Sequence, residues 1–336
     1  IDNIKYLSRK GFNVKLIFPL RSKNSSCNAN LLKKYYGFDD EIRFDGIKHN
    51  LPFGRFKFAE KYLFIISHYL WSKKVCKNFT LKDHEGIQFF TRSDWIFYFL
   101  SKKGLNIIFE CHQLSKIRKW VLKNSITNER AKIIFLNESL LLDSGVDKNS
   151  YLNKVKIIPN GVDEDLFSKV DSKKSNEIIF AGNLQRFNEN RGLDFVINTF
   201  LNKNMPPNYS LKIIGGPSSE VMKLKEHVSK LGLENKIEFL GRLDRNSTIE
   251  NIEKASIGLL INSNKNLHST NYSSPLKYFE YLYAELKVVA IDFSSHKALP
   301  FAENISFFEE NNTNSFIDSI KNASTFKPIN RADLES

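Results

Sequence analysis

Short apolar runs recur along this chain, and polar segments with helical spacing separate them. Such runs lie at residues 106–110, 132–136, 177–181 and 209–214. Strands that alternate with helices in this way predict parallel sheets with helices on both faces. The fold class expected is therefore α/β.

The beginning of the chain departs from the usual order of such a fold. Residues 1–10 read as the end of a helix, Gly11 terminates it, and residues 12–19 alternate like a strand. Residues 20–54 are polar and predict irregular structure. Since an α/β domain normally begins with a strand, we expect the first strand and its loop to be absent from this sequence. Little sequence follows Arg331, so the end is expected to be incomplete too.

A long helix is predicted over residues 56–79, with an apolar and aromatic stripe flanked by lysines. Aromatic stripes usually face a core, and this interpretation is favoured. The alternative is a basic amphipathic helix that rests on a membrane surface.

The rest of the first half alternates regularly. Strands are predicted at 87–91, 106–110, 132–136 and 154–158, and helices at 94–102, 114–122 and from 138. Ligands of parallel sheets bind at the carboxyl ends of the strands. Arg92 and the segment Glu110-Cys111-His112 stand at two such ends and are candidate site residues.

A domain boundary is predicted after Asn160. Residues 159–163 read Pro-Asn-Gly-Val-Asp, a turn composition, and the strand–helix alternation restarts at residue 177. The predicted domains are residues 1–160 and 161–336, a total length that suits two domains.

The charge distribution changes at the same place. Residues 1–160 hold 29 Lys and Arg against 14 Asp and Glu, whereas the remainder is nearly neutral. A basic first half suits either an anionic partner or a solubilising surface. The three cysteines form no metal or redox pattern, and no apolar run is long enough to span a bilayer.

Residues 273–282 are the strongest candidate for binding chemistry. Ser274 and Pro275 open a helix whose N-terminus offers N–H donors and a partial positive charge to an anion. Lys277 adds an ammonium in the first turn, and Glu280 follows one turn later.

This stretch resembles the donor-sugar signature of family 4 glycosyltransferases. In relatives the helix N-terminus holds the diphosphate of a nucleotide sugar, which implies Ser274, Leu276 and Lys277 here, and the glutamate holds the ribose, which implies Glu280. Tyr272 stands where many members have a second glutamate.

Two further segments match the family in order. Residues 159–163 match the segment that opens its C-terminal domain. Gly182-Asn183-Leu184 matches its Gly-x-Leu loop, so the resemblance implies that Arg186 and Arg191 hold the diphosphate. Asn183 stands where many relatives have Arg. The residues expected near the nucleotide are Gly182, Gly216, Arg242 and Leu243.

The resemblance implies the GT-B fold, with two Rossmann-like domains facing across a cleft. The implied enzyme is a retaining hexosyltransferase that moves a sugar from a nucleotide diphosphate sugar to an acceptor hydroxyl, with no cofactor and no metal. His112, Arg186 and Arg191 are the predicted catalytic residues. Because no carboxylate nucleophile is evident, a front-face mechanism without a covalent intermediate is the hypothesis.

Two other functions stay open from the sequence. One is a non-hydrolysing nucleotide-sugar epimerase, and the other is a non-catalytic nucleotide-sugar-binding subunit of a polysaccharide assembly complex. The expected partners are the donor and a glycan, lipid-linked or small-molecule acceptor. The expected location is cytoplasmic, at an anionic inner membrane face if the basic half contacts lipid, in polysaccharide or glycolipid synthesis. No nucleic-acid motif is present.

Overall fold

The structure is a computed structural model of the chain. It describes residues 2–20, 27–36, 41–49, 60–168, 174–186 and 189–335. The described residues separate into two compact units, one formed by Ile1–Ile134 with Ser144–Lys156 and the other by Phe135–Asp143 with Ile157–Ser336. The sequence predicts a boundary after Asn160, which is close to the third and last point where the chain passes from one unit to the other, after Lys156.

The described strands follow in chain order: β1 (Lys15–Leu20), β2 (Arg43–Lys48), β3 (Phe89–Thr91), β4 (Ile107–Cys111), β5 (Ala131–Phe135), β6 (Val155–Ile157), β7 (Glu177–Ala181), β8 (Gln185–Arg186), β9 (Glu189–Asn190), β10 (Ser210–Ile214), β11 (Ile237–Gly241), β12 (Ile257–Leu260), β13 (Lys287–Ile291) and β14 (Ile305–Phe308).

The described α-helices are α1 (Asp2–Arg9), α2 (Ala29–Tyr36), α3 (Glu60–Cys76), α4 (Asp94–Lys102), α5 (Lys116–Ser125), α6 (Glu138–Ser144), α7 (Leu193–Thr199), α8 (Ser218–Lys230), α9 (Arg245–Lys254), α10 (Leu276–Tyr283), α11 (Ser294–Lys297), α12 (Thr313–Thr325) and α13 (Arg331–Glu335).

The first unit contains two separate sheets among its described residues. Strands β3, β4, β5 and β6 lie side by side in that order, and β1 pairs with β2 in parallel. Helix α4 begins where the sequence predicts, because the Ser93 hydroxyl accepts the N–H of Ile96 and so caps the first turn.

The second unit is built on one six-stranded sheet in the order β11-β10-β7-β12-β13-β14, and the pairings along it are parallel. Its strands are buried on both faces. Ile178 and Phe180 belong to one core cluster, while Ile179 and Ala181 of the same strand belong to the other. This explains why the strands read as continuous apolar runs.

The prediction of irregular structure over residues 20–54 is wrong. Helix α2 and strand β2 both lie in this range, and β2 pairs with β1 from Lys15 opposite Arg43 to Leu20 opposite Lys48. The strand was missed because Asp45 and Gly46 interrupt its apolar pattern. The Asn28 side chain accepts the N–H groups of Asn30 and Leu31 at the start of α2.

One helix start also differs from prediction. Pro275 precedes α10 as its cap with extended backbone, and Leu276 is the first helical residue. Of the predicted 56–79 helix, residues 56–59 lie outside the described residues, and α3 ends at Cys76, three residues earlier than predicted. None of the helices described is both long and apolar enough to cross a membrane.

Candidate active site

Three loops meet at the carboxyl edge of the six-stranded sheet, after β7, β10 and β11. The Gly182 N–H donates to the Ile214 carbonyl at 2.9 Å, and the Gly215 N–H donates to the Gly241 carbonyl at 2.8 Å. A Cβ on Gly215, whose φ is +153°, would stand 1.8 Å from the Gly182 carbonyl oxygen. Only glycine allows these loops to approach so closely.

Four residues predicted to lie near the nucleotide belong to this edge. The Leu184 N–H donates to the Gly216 carbonyl at 2.9 Å, which ties the loop of Gly182 to that of Gly216. A Cβ on Gly216 would stand 2.7 Å from Nε of Arg242, so the arginine side chain lies over the glycine. Leu243 follows directly and packs on the core. The structure thus brings Gly182, Gly216, Arg242 and Leu243 together, while their role remains a prediction.

Arg191 is a half-buried cation whose hydrogen bonds go to backbone carbonyls. Its Nε and Nη2 donate to the Ile261 carbonyl at 3.1 and 2.8 Å, and Nη1 donates to the Asn183 carbonyl at 3.2 Å. The guanidinium also lies over the Phe180 ring, 5.2 Å from its centroid. None of the described carboxylates forms an ion pair with it. Burial, and then the charge of Arg186, lower its pKa to about 10.

Arg186 lies close to that cation, in the short hairpin of β8 and β9. Its Nη2 is 3.0 Å from Nε2 of His268, and burial lowers its pKa. We call Arg186 and Arg191 the arginine pair. Two partly desolvated positive charges that repel each other form a place where an anion is stabilised.

The start of α10 contacts the turn that begins the second domain in the sequence prediction. The Asn160 side chain donates to the Ser274 carbonyl at 2.5 Å, and the Ser274 hydroxyl accepts the Asn160 N–H at 3.4 Å. The two motifs are 114 residues apart in sequence. Leu276 is half exposed at the first helical position.

Glu280 lies at the centre of a second charged cluster, which we call the glutamate clamp. Its carboxylate is 1% exposed and binds Nζ of Lys277 at 2.5 Å and Nη1 of Arg245 at 2.6 Å. Burial lowers the pKa of Lys277, and the charge of Glu280 opposes that effect. Both carboxylate oxygens are therefore engaged. Ribose binding at Glu280, as the sequence predicts, must therefore either displace Arg245 from one oxygen or use a second lone pair of an oxygen that already accepts a bond.

Tyr272 fills the position where the resemblance leads one to expect a second glutamate. Its hydroxyl donates to Oδ2 of Asp143 at 2.5 Å, and the side chain is buried. Burial, and then the bond to Asp143, raise the pKa of Tyr272 to about 12. The phenol is a neutral donor here and does not replace the chemistry of a carboxylate.

In the first unit, Glu110 holds together the predicted residues at the ends of β3 and β4. Its Oε2 accepts from Nε of Arg92 at 2.7 Å, and its Oε1 is 3.2 Å from Nε2 of His112. Burial favours a higher pKa for Glu110, but the contacts with His112 and Arg92 outweigh it and the pKa falls. The carboxylate therefore orients the partly exposed His112, whose catalytic role remains a prediction.

Sequence reasoning missed two residues of these clusters. Arg245 is separated from Glu280 by 35 residues and His268 from Arg186 by 82 residues, and neither belongs to a recognisable motif. The only available signal is position, because Arg245 opens the helix after the Gly241 loop. Within the described ranges, no group of three or more His, Cys, Asp or Glu side chains is arranged to hold a metal ion.

Comparison with known proteins now adds to this geometry. Residues 175–325 match the sequence model of a family described as glycosyl transferases group 1. A search of curated protein sequences finds no match.

Solved structures resemble nearly the whole chain. Anabaena HepE in complex with UDP and glucose has a TM-score of 0.58 and 15% identity, over 93% of this chain and 90% of that one. Sucrose-phosphate synthase from Thermosynechococcus elongatus has a TM-score of 0.63 and 14% identity, over 95% and 81%. The lipopolysaccharide outer core galactosyltransferase WaaB has a TM-score of 0.61 and 11% identity, over 99% and 87%. At these identities the likeness establishes the fold, which is GT-B with two Rossmann-like domains.

The family match covers the six-stranded sheet and the arginine pair, and the fold match covers both units. Residues 175–325 are therefore similar to the family of group 1 glycosyl transferases, and the chain has the GT-B fold.

Proposed function

We propose that this glycosyltransferase transfers a hexose from a nucleoside diphosphate sugar to an acceptor hydroxyl, with retention of anomeric configuration. The observation that carries the proposal is the arginine pair. Arg191 is half-buried, its hydrogen bonds go to carbonyl groups, and the charge of Arg186 acts on it. A diphosphate brings negative charge to these two cations.

The proposed chemistry is stabilisation of the leaving group. When the bond between the sugar and the diphosphate breaks, negative charge grows on the diphosphate oxygens. Guanidinium groups already in position stabilise that charge without reorganisation, which is often the largest catalytic contribution. Arg186, Arg191 and the N-terminus of α10 are assigned this task, and no metal is invoked.

The remaining roles follow the same proposal. Lys277 lies in the first turn of α10, beside the proposed diphosphate, and Glu280 takes the ribose once Arg245 releases one carboxylate oxygen. His112, oriented by Glu110, contacts the sugar or the acceptor. A front-face reaction without a covalent intermediate is proposed because no carboxylate nucleophile is evident.

Transfer assays test this function directly. HepE was solved with UDP and with UDP-glucose, so UDP-glucose is the first donor to try and GDP-mannose the second. The proposal expects nucleoside diphosphate release that depends on an acceptor, and NMR of the product should show retained configuration. Turnover of donor without any acceptor would indicate an epimerase, and binding without release under any acceptor would indicate a non-catalytic subunit. A sugar adduct trapped with an activated fluoro-sugar would contradict the front-face step.

The acceptor is proposed to be a glycan or lipid-linked precursor of a cell-surface polysaccharide, reached at an anionic membrane face. Two observations support contact with such a surface. The first half carries the excess of basic residues, and α3 exposes Tyr62, Ile66 and Leu70 at helical spacing. Sedimentation with liposomes checks this: equal binding to neutral and anionic vesicles would contradict it.

A further inference from the structure

The hydrogen bond between Arg186 and His268 has a direction fixed by chemistry. Nη2 of Arg186 and Nε2 of His268 are 3.0 Å apart. A guanidinium has N–H donors and no acceptor, so the imidazole nitrogen must accept. The bond therefore requires a neutral His268 whose proton is on Nδ1.

His268 is held in place by its own segment. It begins a single π-helical turn, His268–Tyr272, before α10, and its backbone N–H donates to Oδ1 of Asn266 at 2.9 Å. The Ser295 hydroxyl donates to the Ser269 carbonyl at 2.8 Å, which fixes the next residue to α11. The backbone of His268 thus has a position that does not depend on Arg186.

Arg186, by contrast, lies on a weak scaffold. Strands β8 and β9 contain two residues each, and Arg186 lies opposite Glu189 in their antiparallel register. An arginine side chain has about 2 kcal/mol of rotamer entropy to lose when it is ordered. A fixed acceptor at the guanidinium removes part of that cost before an anion binds, which increases affinity.

We propose that His268 is a positioning residue: its neutral imidazole holds the Arg186 guanidinium in the orientation that binds the diphosphate of the donor. The inference rests on the function proposed above. It gives the segment before α10 a role in orienting Arg186, and no sequence motif indicates that role. His268 acts through Arg186 and has no contact with the donor assigned to it.

The test compares two substitutions at this position. His268→Phe keeps a ring beside Tyr272, 6.5 Å away between centroids, but removes the acceptor. His268→Gln retains an acceptor on a side chain of similar length. In calorimetric titrations with UDP and GDP, His268→Phe should raise the Kd of the nucleotide that binds about tenfold, and His268→Gln should stay within about threefold of the wild type.

A matched control exists on the same two segments. Lys265, 70% exposed, pairs with Glu189 of β9 at 3.3 Å. Lys265→Gln breaks this exposed contact and should leave the Kd within about twofold of the wild type, because such pairs contribute little.

A double-mutant cycle separates positioning from direct binding. In an Arg186→Met background, His268→Phe should change the Kd less than about twofold, since the group it positions is gone. Equal affinity of His268→Phe and wild type would overturn the inference, as would a tenfold loss that persists without Arg186. If correctly folded wild type binds neither UDP nor GDP, the proposed function fails and the inference fails with it; if wild type binds and only the cycle disagrees, the inference alone is wrong.

Discussion

The arginine pair and the glutamate clamp are two cation clusters in the same unit, and they differ in what lies next to the positive charges. In the clamp, the carboxylate of Glu280 neutralises Lys277 and Arg245 at 2.5 and 2.6 Å. In the pair, Arg191 donates to the carbonyl groups of Ile261 and Asn183 and has Arg186 as its charged neighbour.

Because of this difference, we expect one cluster to stabilise the fold and the other to bind the ligand. Breaking a buried ion pair is costly, so the clamp is expected to stabilise the fold. A half-buried guanidinium next to the charge of a second cation makes the unliganded fold less stable, and an incoming anion removes that penalty. The arginine pair should therefore matter most for ligand affinity and the clamp most for stability.

The largest effect is expected from Glu280→Gln. This substitution leaves Lys277 and Arg245 facing each other without a carboxylate, and should lower the free energy of unfolding by about 3 kcal/mol. All three tryptophans, Trp71, Trp95 and Trp120, lie in the first unit, so urea denaturation is best followed by circular dichroism.

Glu226→Gln is the matched control, because Glu226 pairs with Lys230 on the exposed face of α8. Its urea midpoint should equal that of the wild type. A Glu280→Gln midpoint as high as that of the control would show that the clamp does not support the fold.

The next effect concerns Arg191→Met, which keeps an apolar stem over Phe180 and removes the charge. The affinity for the nucleoside diphosphate should fall about 30-fold, which corresponds to the loss of about 2 kcal/mol in charged hydrogen bonds. The free energy of unfolding should change by less than about 1 kcal/mol, because the lost carbonyl contacts offset the relief of a buried charge. Calorimetric titration and urea denaturation of the same samples measure both. A large loss of stability with unchanged affinity would show that Arg191 supports the fold and does not bind the ligand.

The charge of Arg191 also acts on His296, and this gives a pH dependence. Burial lowers the pKa of His296, the bond from Nδ1 to the Ile291 carbonyl opposes this, and the charge of Arg191 adds to the lowering, so that the pKa is about 4. The folded pKa lies below the unfolded value near 6.5, so the unfolded chain binds the proton first as the pH falls. Stability is therefore complete above pH 6.5 and decreases as the pH falls towards 4, by about 2 kcal/mol at pH 5.

Urea denaturation at pH 8 and pH 5 measures this difference. It should shrink in His296→Gln, which does not titrate, and also in Arg191→Met, where the repelling charge is gone. An unchanged difference in both variants would rule out His296 as its source.

The smallest effect is expected from Arg245→Gln. The Arg245 side chain is 41% exposed, so its ion pair with Glu280 should contribute under about 1 kcal/mol to stability. If Glu280 binds ribose, the substitution frees one carboxylate oxygen and the UDP affinity should not fall. A loss of affinity as large as that of Arg191→Met would place the diphosphate at the clamp.

The local pattern of apolar and polar residues predicted many helices and strands correctly but missed others. Helix α4 and strand β7 have the predicted bounds, because Ser93 caps the helix and the strand is buried on both faces. Strand β2 and helix α2 were missed. Their stability comes from pairing with β1 and from packing, which a polar composition does not reveal.

The sequence predicts the candidate site residues that lie within motifs, but it does not predict the residues that contact them. Gly182, Arg186, Arg191, Lys277 and Glu280 were predicted from segments that resemble the family, and their roles stay predictions. Their partners were not found, because hydrogen bonds that span 82 or 35 residues leave no local signal. The same limit applies to Asn160 and Ser274, each found in a motif but not as a pair.

The most direct test of the comparison is a crystal structure of the chain with the nucleoside diphosphate that binds, UDP or GDP. The account predicts diphosphate oxygens within hydrogen-bonding distance of the Arg186 and Arg191 guanidinium groups, with Glu280 still bound to Lys277. A diphosphate bound elsewhere, with Arg191 still donating only to the carbonyl groups of Ile261 and Asn183, would contradict it.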